Sequence, residues 1–186
     1  MSHPRIVELK RHLDDNRVAL RATLDAVPPH HRERRAAPDR WSVAEVIEHL
    51  AIVEMRVAAR LRDPLTALAG QLGPEPETGP IIDRSFFARA ASRNNRFRTS
   101  EAGEPRGGID VETAWSRLEA SRRAIEEVLA RADGLDVSVI SAPHPAFGSL
   151  TFYQWVVFLA AHEARHAAQI REVAADLAAA EREGRI

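Results

Sequence analysis

Four long segments of the chain repeat apolar residues at steps of three and four, and this repeat is the strongest constraint on the fold. The segments span about residues 4–26, 42–62, 110–132 and 151–180. This spacing places apolar side chains on one face of an α-helix, whereas a strand would need a period of two. Only one short run, VSVI at 137–140, has a strand-like composition. We therefore predict an all-α fold, a four-helix bundle.

Local signals mark where three of these helices begin. Ser42 and Glu45 form an S-x-x-E pattern, and Thr151 and Gln154 form the matching T-x-x-Q pattern. In such a capping box, the first residue caps the helix and the fourth side chain returns a hydrogen bond to its backbone. Asp110 is a suitable N-cap for the third long helix.

The lengths of the connections predict how the helices are arranged. The first two long helices have a short link and should be antiparallel neighbours. Asp63 and Pro64 predict the end of the second helix. The connection at 64–108 is long and partly irregular, with one short helix predicted around 81–91. Its length lets the chain cross the bundle, so the second and third long helices can run parallel. We predict that residues 1–186 form one domain.

Composition argues against several classes of function. The net charge of −1 creates no general attraction for nucleic acid or anionic membranes. The absence of cysteine excludes disulfides, thiolate metal ligands and a cysteine nucleophile. The apolar stretch at 155–161 is too short to span a bilayer, and the N-terminal residues lack the pattern of a secretory signal. We therefore expect a cytoplasmic protein with neither nucleic-acid nor membrane partners.

Three of the eight histidines suggest a metal site. His162 and His166 lie four residues apart and therefore share a face of the fourth long helix, on its apolar stripe. His49 lies at the edge of the stripe of the second long helix, and Gln169 is placed to hydrogen-bond to a ligand histidine and orient it. Three imidazoles can hold one ion and leave coordination positions open. From the pattern alone, a metal site and a polar network in the core are equally good interpretations.

The string HEARH also matches H-E-x-x-H, in which two histidines bind zinc and the glutamate, here Glu163, is a general base. No third histidine follows downstream and almost no strand is predicted, so we disfavour a zinc protease. Glu163 is instead expected to be a carboxylate on the surface, or one that hydrogen-bonds to a metal ligand. His30 and His31 are expected to be solvated in a turn, and His144 lies in a loop that could line a mouth of the bundle.

WSVAEVIEHL and HEARHAAQI together resemble segments of the DinB/YfiT-like superfamily of metalloenzymes. The resemblance covers essentially the whole chain as a helix pattern, and its specific motifs are these two segments. It implies a four-helix bundle in an up-down-down-up arrangement. It also implies that His49, His162 and His166 are the ligands of a divalent metal ion, typically zinc or nickel, and that the protein forms homodimers.

The resemblance also suggests the chemistry. Some members of that superfamily transfer low-molecular-weight thiols such as bacillithiol, mycothiol or glutathione, and others are isomerases. We therefore predict a metal-dependent thiol transferase that acts on a small electrophile, with the thiol as a cosubstrate. The alternatives are a metal-dependent hydrolase that uses a metal-bound hydroxide, and a non-catalytic metal-binding module linked to stress responses. No catalytic residue beyond the metal ligands is predicted.

Overall fold

The computed structural model describes residues 1–94 and 101–184. In these ranges the helices are α1 (Pro4–Asp25), α2 (Val43–Ala67), α3 (Arg84–Ala91), α4 (Val111–Ala132) and α5 (Phe152–Arg182). Single turns of 3-10 helix occupy Pro29–His31 and Glu101–Gly103, and two strands, β1 (Ser141–His144) and β2 (Gly148–Thr151), form a hairpin. The four predicted long helices and the short helix in the 64–108 connection are all confirmed.

The predicted caps are present at the start of three helices. Ser42 accepts a hydrogen bond from the backbone N–H of Glu45 at 3.2 Å, and the Glu45 carboxylate accepts one from the Ser42 N–H at 2.8 Å. Thr151 and Gln154 make the same reciprocal pair at α5, with distances of 3.3 and 3.0 Å. Asp110 caps α4 by accepting from the N–H of Thr113 at 2.8 Å. These contacts satisfy backbone donors that have no partner inside the helix.

The predicted end of α2 is wrong, because the helix continues through Pro64 to Ala67. A proline inside a helix removes one backbone hydrogen bond and crowds the preceding turn. Leu65, only 3% exposed, lies in the apolar core, and its burial offsets that loss. The N–H of Leu68 then closes the last turn on the Pro64 carbonyl at 2.9 Å.

The strand-like run at 137–140 does not form a strand. These residues form tight turns, in which Val137 and Ile140 are buried as anchors of the core. The hairpin follows them, with Ser141 opposite Thr151 and His144 opposite Gly148. Its first strand, SAPH, contains proline and alanine, which have low strand propensity, so composition did not reveal it.

The long helices run parallel in two pairs. Contacts between α2 and α4 advance along both helices in the same direction: Glu48 with Arg117, Glu54 with Arg122, and Thr66 with Arg131. Contacts between α1 and α5 do the same: Arg17 with Glu163, and Thr23 with Arg171.

Helices α2 and α5, in contrast, are antiparallel. His49 near the start of α2 lies against His166, whereas Arg60, eleven residues later, lies over Trp155 near the start of α5. With the two parallel pairs, this contact order gives an up-down-down-up bundle in which the 64–108 connection crosses between α2 and α4. The predicted topology is therefore confirmed.

The bundle interior contains two apolar clusters with a charged layer between them. Each long helix contributes one charged residue to the layer: Arg17 from α1, Glu54 from α2, Arg122 from α4 and Glu163 from α5. Within the described ranges, no helix has both the length and the hydropathy required to cross a membrane.

Candidate metal centre

The structure brings His49, His162 and His166 together between α2 and α5. The Nε2 atom of His162 lies 3.3 Å from that of His49 and 3.1 Å from that of His166. One ligand atom from each residue can be chosen so that all three lie within 4.8 Å of one another. Two nitrogens bound tetrahedrally to zinc are about 3.3 Å apart, given Zn–N bonds of about 2.0–2.1 Å. The spacing and the donor set therefore fit a single divalent ion.

Hydrogen bonds on the far side of two rings direct their Nε2 lone pairs towards the common centre. The Nδ1–H of His49 donates to the carbonyl of Gly103 at 2.7 Å. The Nδ1–H of His166 donates to Oε1 of Gln169 at 2.8 Å, and the same oxygen accepts from Arg93 at 3.3 Å. Because guanidinium can only donate, the amide oxygen must face both groups. Such outer partners fix the tautomer and orientation of metal-binding histidines.

The partner of His49 comes from the long connection between α2 and α4, for which the sequence predicted a crossing of the bundle but no part in a site. Glu48, beside His49 on α2, also anchors this connection, because its buried carboxylate accepts from the N–H of Gly107 at 2.9 Å. The 103–107 stretch is therefore held against α2 next to the histidines. A backbone carbonyl such as that of Gly103 leaves no recognisable sequence signal.

The three imidazoles are held in their neutral form. Burial lowers the pKa of His49, and it lowers the pKa values of His162 and His166 well below the usual range, with neighbouring histidines reinforcing the effect. Neutral imidazole is the form that binds metal. Three neutral ligands would also leave an ion its full positive charge, which favours Lewis-acid chemistry.

The centre opens into a cavity of about 590 Å³, a volume typical of small-molecule sites. Aromatic rings form much of the wall: Trp41, His144, Phe147, Trp155 and Phe158. Phe158 stacks on His162 with ring centroids 5.1 Å apart, and Trp41 lies 4.9 Å from the ring of His49. Charged side chains also line the cavity: Asp39, Arg40, Arg56, Arg60, Arg93, Arg165 and Glu172. The cavity is thus mainly aromatic around the histidines, with a rim rich in arginine.

His144 ends β1 and lines this cavity, at the mouth of the bundle that the sequence suggested. It does not group with the other three histidines as a candidate ligand. Its ring lies 4.6 Å from Phe158 and 4.8 Å from Phe147, measured between centroids. Burial among these rings, reinforced by Arg60, lowers its pKa to about 4.

Glu163 lies neither on the surface nor in hydrogen-bond contact with a candidate ligand, in contrast to the expectation from the sequence. It is 3% exposed, and its Oε1 accepts from Arg17 at 2.6 Å and from Arg122 at 2.8 Å. Consecutive helix residues point about 100° apart, so Glu163 faces the charged layer while His162 faces the cavity. A carboxylate that faces away from the three histidines is not placed to act as a general base beside them, and the described residues form only a two-stranded sheet. Both observations argue against the zinc-protease interpretation.

A second cluster joins the turn after α1 to the end of α5. The Nε2 atoms of His30 and His31 lie 3.1 and 2.9 Å from the Glu181 carboxylate. His30 is exposed as expected, but His31 is 2% exposed, so its predicted solvation is wrong. Both rings already contact the carboxylate, and this contact lowers the pKa of Glu181. The cluster is best explained as a polar contact that holds the turn on α5.

Comparison with known proteins agrees with this architecture. A sequence model of the DinB superfamily matches residues 12–170. The chain is 26% identical to the uncharacterized protein YuaE of Bacillus subtilis (strain 168) over 143 residues, which cover 75% of this chain and 81% of that protein. It also resembles the crystal structure of TT2238, described as a four-helix bundle protein, with a TM-score of 0.60 and 23% identity over 90% of this chain and 98% of the other. Since the family match extends over most of its length, the chain belongs to the DinB superfamily.

Proposed function

We propose that the protein is a metal-dependent transferase that joins a low-molecular-weight thiol to a small electrophile. The observation that carries the proposal is the set of three neutral histidines at the wall of a largely aromatic cavity. His49, His162 and His166 would hold the ion, with zinc or nickel as the expected metals. A bound metal ion would lower the pKa of a thiol that coordinates it, which makes the thiolate available near neutral pH.

The remaining parts of the site assist transfer by holding and shielding the reactants. Gly103 and Gln169 keep two of the rings in a fixed orientation. Phe158, Trp155 and Phe147 provide an apolar wall that limits access of water to the reacting atoms. The volume of about 590 Å³ has room for a thiol beside a second small molecule. The chain contains no cysteine, so the thiol must come from a cosubstrate.

The reaction is a substitution without any change in oxidation state. The thiol proton is lost to water as the sulfur ionises. The sulfur then forms a bond to the electrophilic carbon, and the leaving group departs with the bonding electron pair. Hydrolysis is the competing reaction at the same centre, with water in place of the thiol.

The test uses the metal-loaded protein with an activated aryl chloride and a set of thiols that includes glutathione. We expect a thioether product, detected by mass spectrometry, that requires both metal and thiol and is absent with His162→Ala. Turnover of esters or amides without thiol would overturn the proposal in favour of a hydrolase. Metal binding without either reaction would favour the non-catalytic module.

Two further expectations accompany this proposal. The protein should work in the cytoplasm, where reduced thiols are abundant. It should also form a homodimer, which light scattering coupled to size-exclusion chromatography can measure. A monomer at micromolar concentration would contradict the second expectation without affecting the chemistry.

A further inference from the structure

The cavity extends from the three histidines towards the β-hairpin, and this arm has a distinctive composition. Because α2 and α5 are antiparallel, residues after His49 on α2 face residues before His162 on α5. The arm therefore combines the rings of Phe147, Trp155 and Phe158 with two arginines of α2, Arg56 and Arg60.

These two arginines lie on the same face of α2 as His49, since they follow it by seven and eleven residues. At a rise of 1.5 Å per residue, they stand about 10 and 16 Å further along the helix axis. Arg60 lies over the ring of Trp155, 4.8 Å from its centroid, and donates to the carbonyl of Pro143 at 2.8 Å. Its guanidinium is thus held in place at the end of the aromatic wall.

In the arm near the β-hairpin, the positive charges of the cavity are not balanced by negative charges. Elsewhere on the rim, Arg93 pairs with Glu172 at 2.6 Å and Arg40 lies 3.7 Å from Asp176. Neither Arg56 nor Arg60 forms an ion pair with any carboxylate of the described residues. A bound divalent ion with three neutral ligands would add further positive charge to the same cavity. An anion would therefore be attracted here and would meet guanidinium groups that have no competing carboxylate.

We propose that Arg56 and Arg60 form a carboxylate-binding subsite, and that the electrophile is a small acid with a flat apolar body. The body would lie against the aromatic wall, with the acid at the two guanidinium groups and the reactive atom towards the histidines. Guanidinium matches a carboxylate in geometry and can donate two parallel hydrogen bonds to it. The role of this acid as the electrophile rests on the proposed transferase function, whereas the binding of a carboxylate at Arg56 and Arg60 does not.

The test measures binding of an unreactive probe, 3-phenylpropionate, and of its uncharged analogue 3-phenylpropionamide. Isothermal titration calorimetry on the zinc-loaded full chain, without thiol, gives both affinities. We expect the acid to bind roughly 10- to 100-fold more tightly than the amide, the range for hydrogen bonds to a charged group. Arg56→Gln with Arg60→Gln should remove this preference, and Arg56→Gln alone should reduce it without disturbing the packing on Trp155.

Arg62→Gln is the matched control, because Arg62 is on the same helix outside the cavity and lies 3.7 Å from Asp63. This variant should keep the preference for the acid. Equal affinity for acid and amide, or no binding of either, would overturn the proposal. Acid binding that survives the double substitution but disappears with the zinc would also overturn it, since the metal would then be the acceptor. Because no thiol is present, none of these results depends on whether the transfer reaction occurs.

Discussion

The charged layer inside the bundle allows a sharp test of the role of Glu163. Its Oε1 accepts hydrogen bonds from both Arg17 and Arg122, which also contact Glu54. The four side chains are at most 13% exposed, so solvent screens these charges weakly. Glu163→Gln keeps the shape of the side chain and removes its charge, which leaves two buried guanidinium groups with Glu54 as their one buried carboxylate partner.

Removing one partner of a buried ion pair lowers the free energy of unfolding by about 3–5 kcal/mol, because the remaining charge stays desolvated without its partner. This is a large share of the roughly 5–15 kcal/mol that stabilises a typical domain. At about 2–4 °C per kcal/mol for a chain of this size, the melting temperature should fall by roughly 6–20 °C. Zinc affinity should be unchanged, since Glu163 faces away from the three histidines.

Urea unfolding followed by circular dichroism gives the change in the free energy of unfolding, and a zinc titration of the folded variant gives the metal affinity. Glu126→Gln is the matched control, because Glu126 is an exposed carboxylate on α4. A loss of stability below about 1 kcal/mol would show that the layer does not behave as a set of buried charges. A loss of zinc affinity in the folded variant would place Glu163 in the metal centre and revive the zinc-protease interpretation.

Three other predictions concern the metal centre and its surroundings. His162→Ala should abolish tight zinc binding, whereas His144→Ala should retain it; calorimetric titration distinguishes the two, and equal losses would contradict the assigned ligand set. Gln169→Leu should weaken zinc binding roughly 10- to 100-fold, because His166 loses the acceptor that orients its ring; an unchanged affinity would argue against that support. Because the pKa of His144 is lowered from 6.5 to about 4 in the fold, its contribution to stability is complete above pH 6.5 and is lost as the pH falls towards 4. Urea unfolding at pH 7 and at pH 4.5 gives the loss of unfolding free energy caused by acid. This loss should be smaller for His144→Phe than for the natural chain, and equal losses would contradict the lowered pKa of His144.

The sequence by itself determined the helices, because the signals that define them are local. Each long helix carries its own apolar stripe, and Ser42, Asp110 and Thr151 cap backbone donors only a few residues away. The spacing of His162 and His166 is equally local, since four residues on a helix fix a shared face. The charged layer also has a local sequence signal that could have been recognised. Arg17 and Glu163 occupy positions on apolar stripes, where an unpaired charge would be too costly to bury.

Contacts between residues that are far apart in the sequence were decided only by the tertiary structure. His49 meets His162, which lies 113 positions later in the chain, and Gly103 supplies its carbonyl from the long connection between α2 and α4. The extension of α2 past Pro64 and the hairpin after residue 140 also contradicted local propensity. In each case, burial of a few side chains such as Leu65 outweighs intrinsic preferences of at most a few kcal/mol. Local rules therefore specify the elements, whereas the shape and charge of the cavity arise only when the elements pack together.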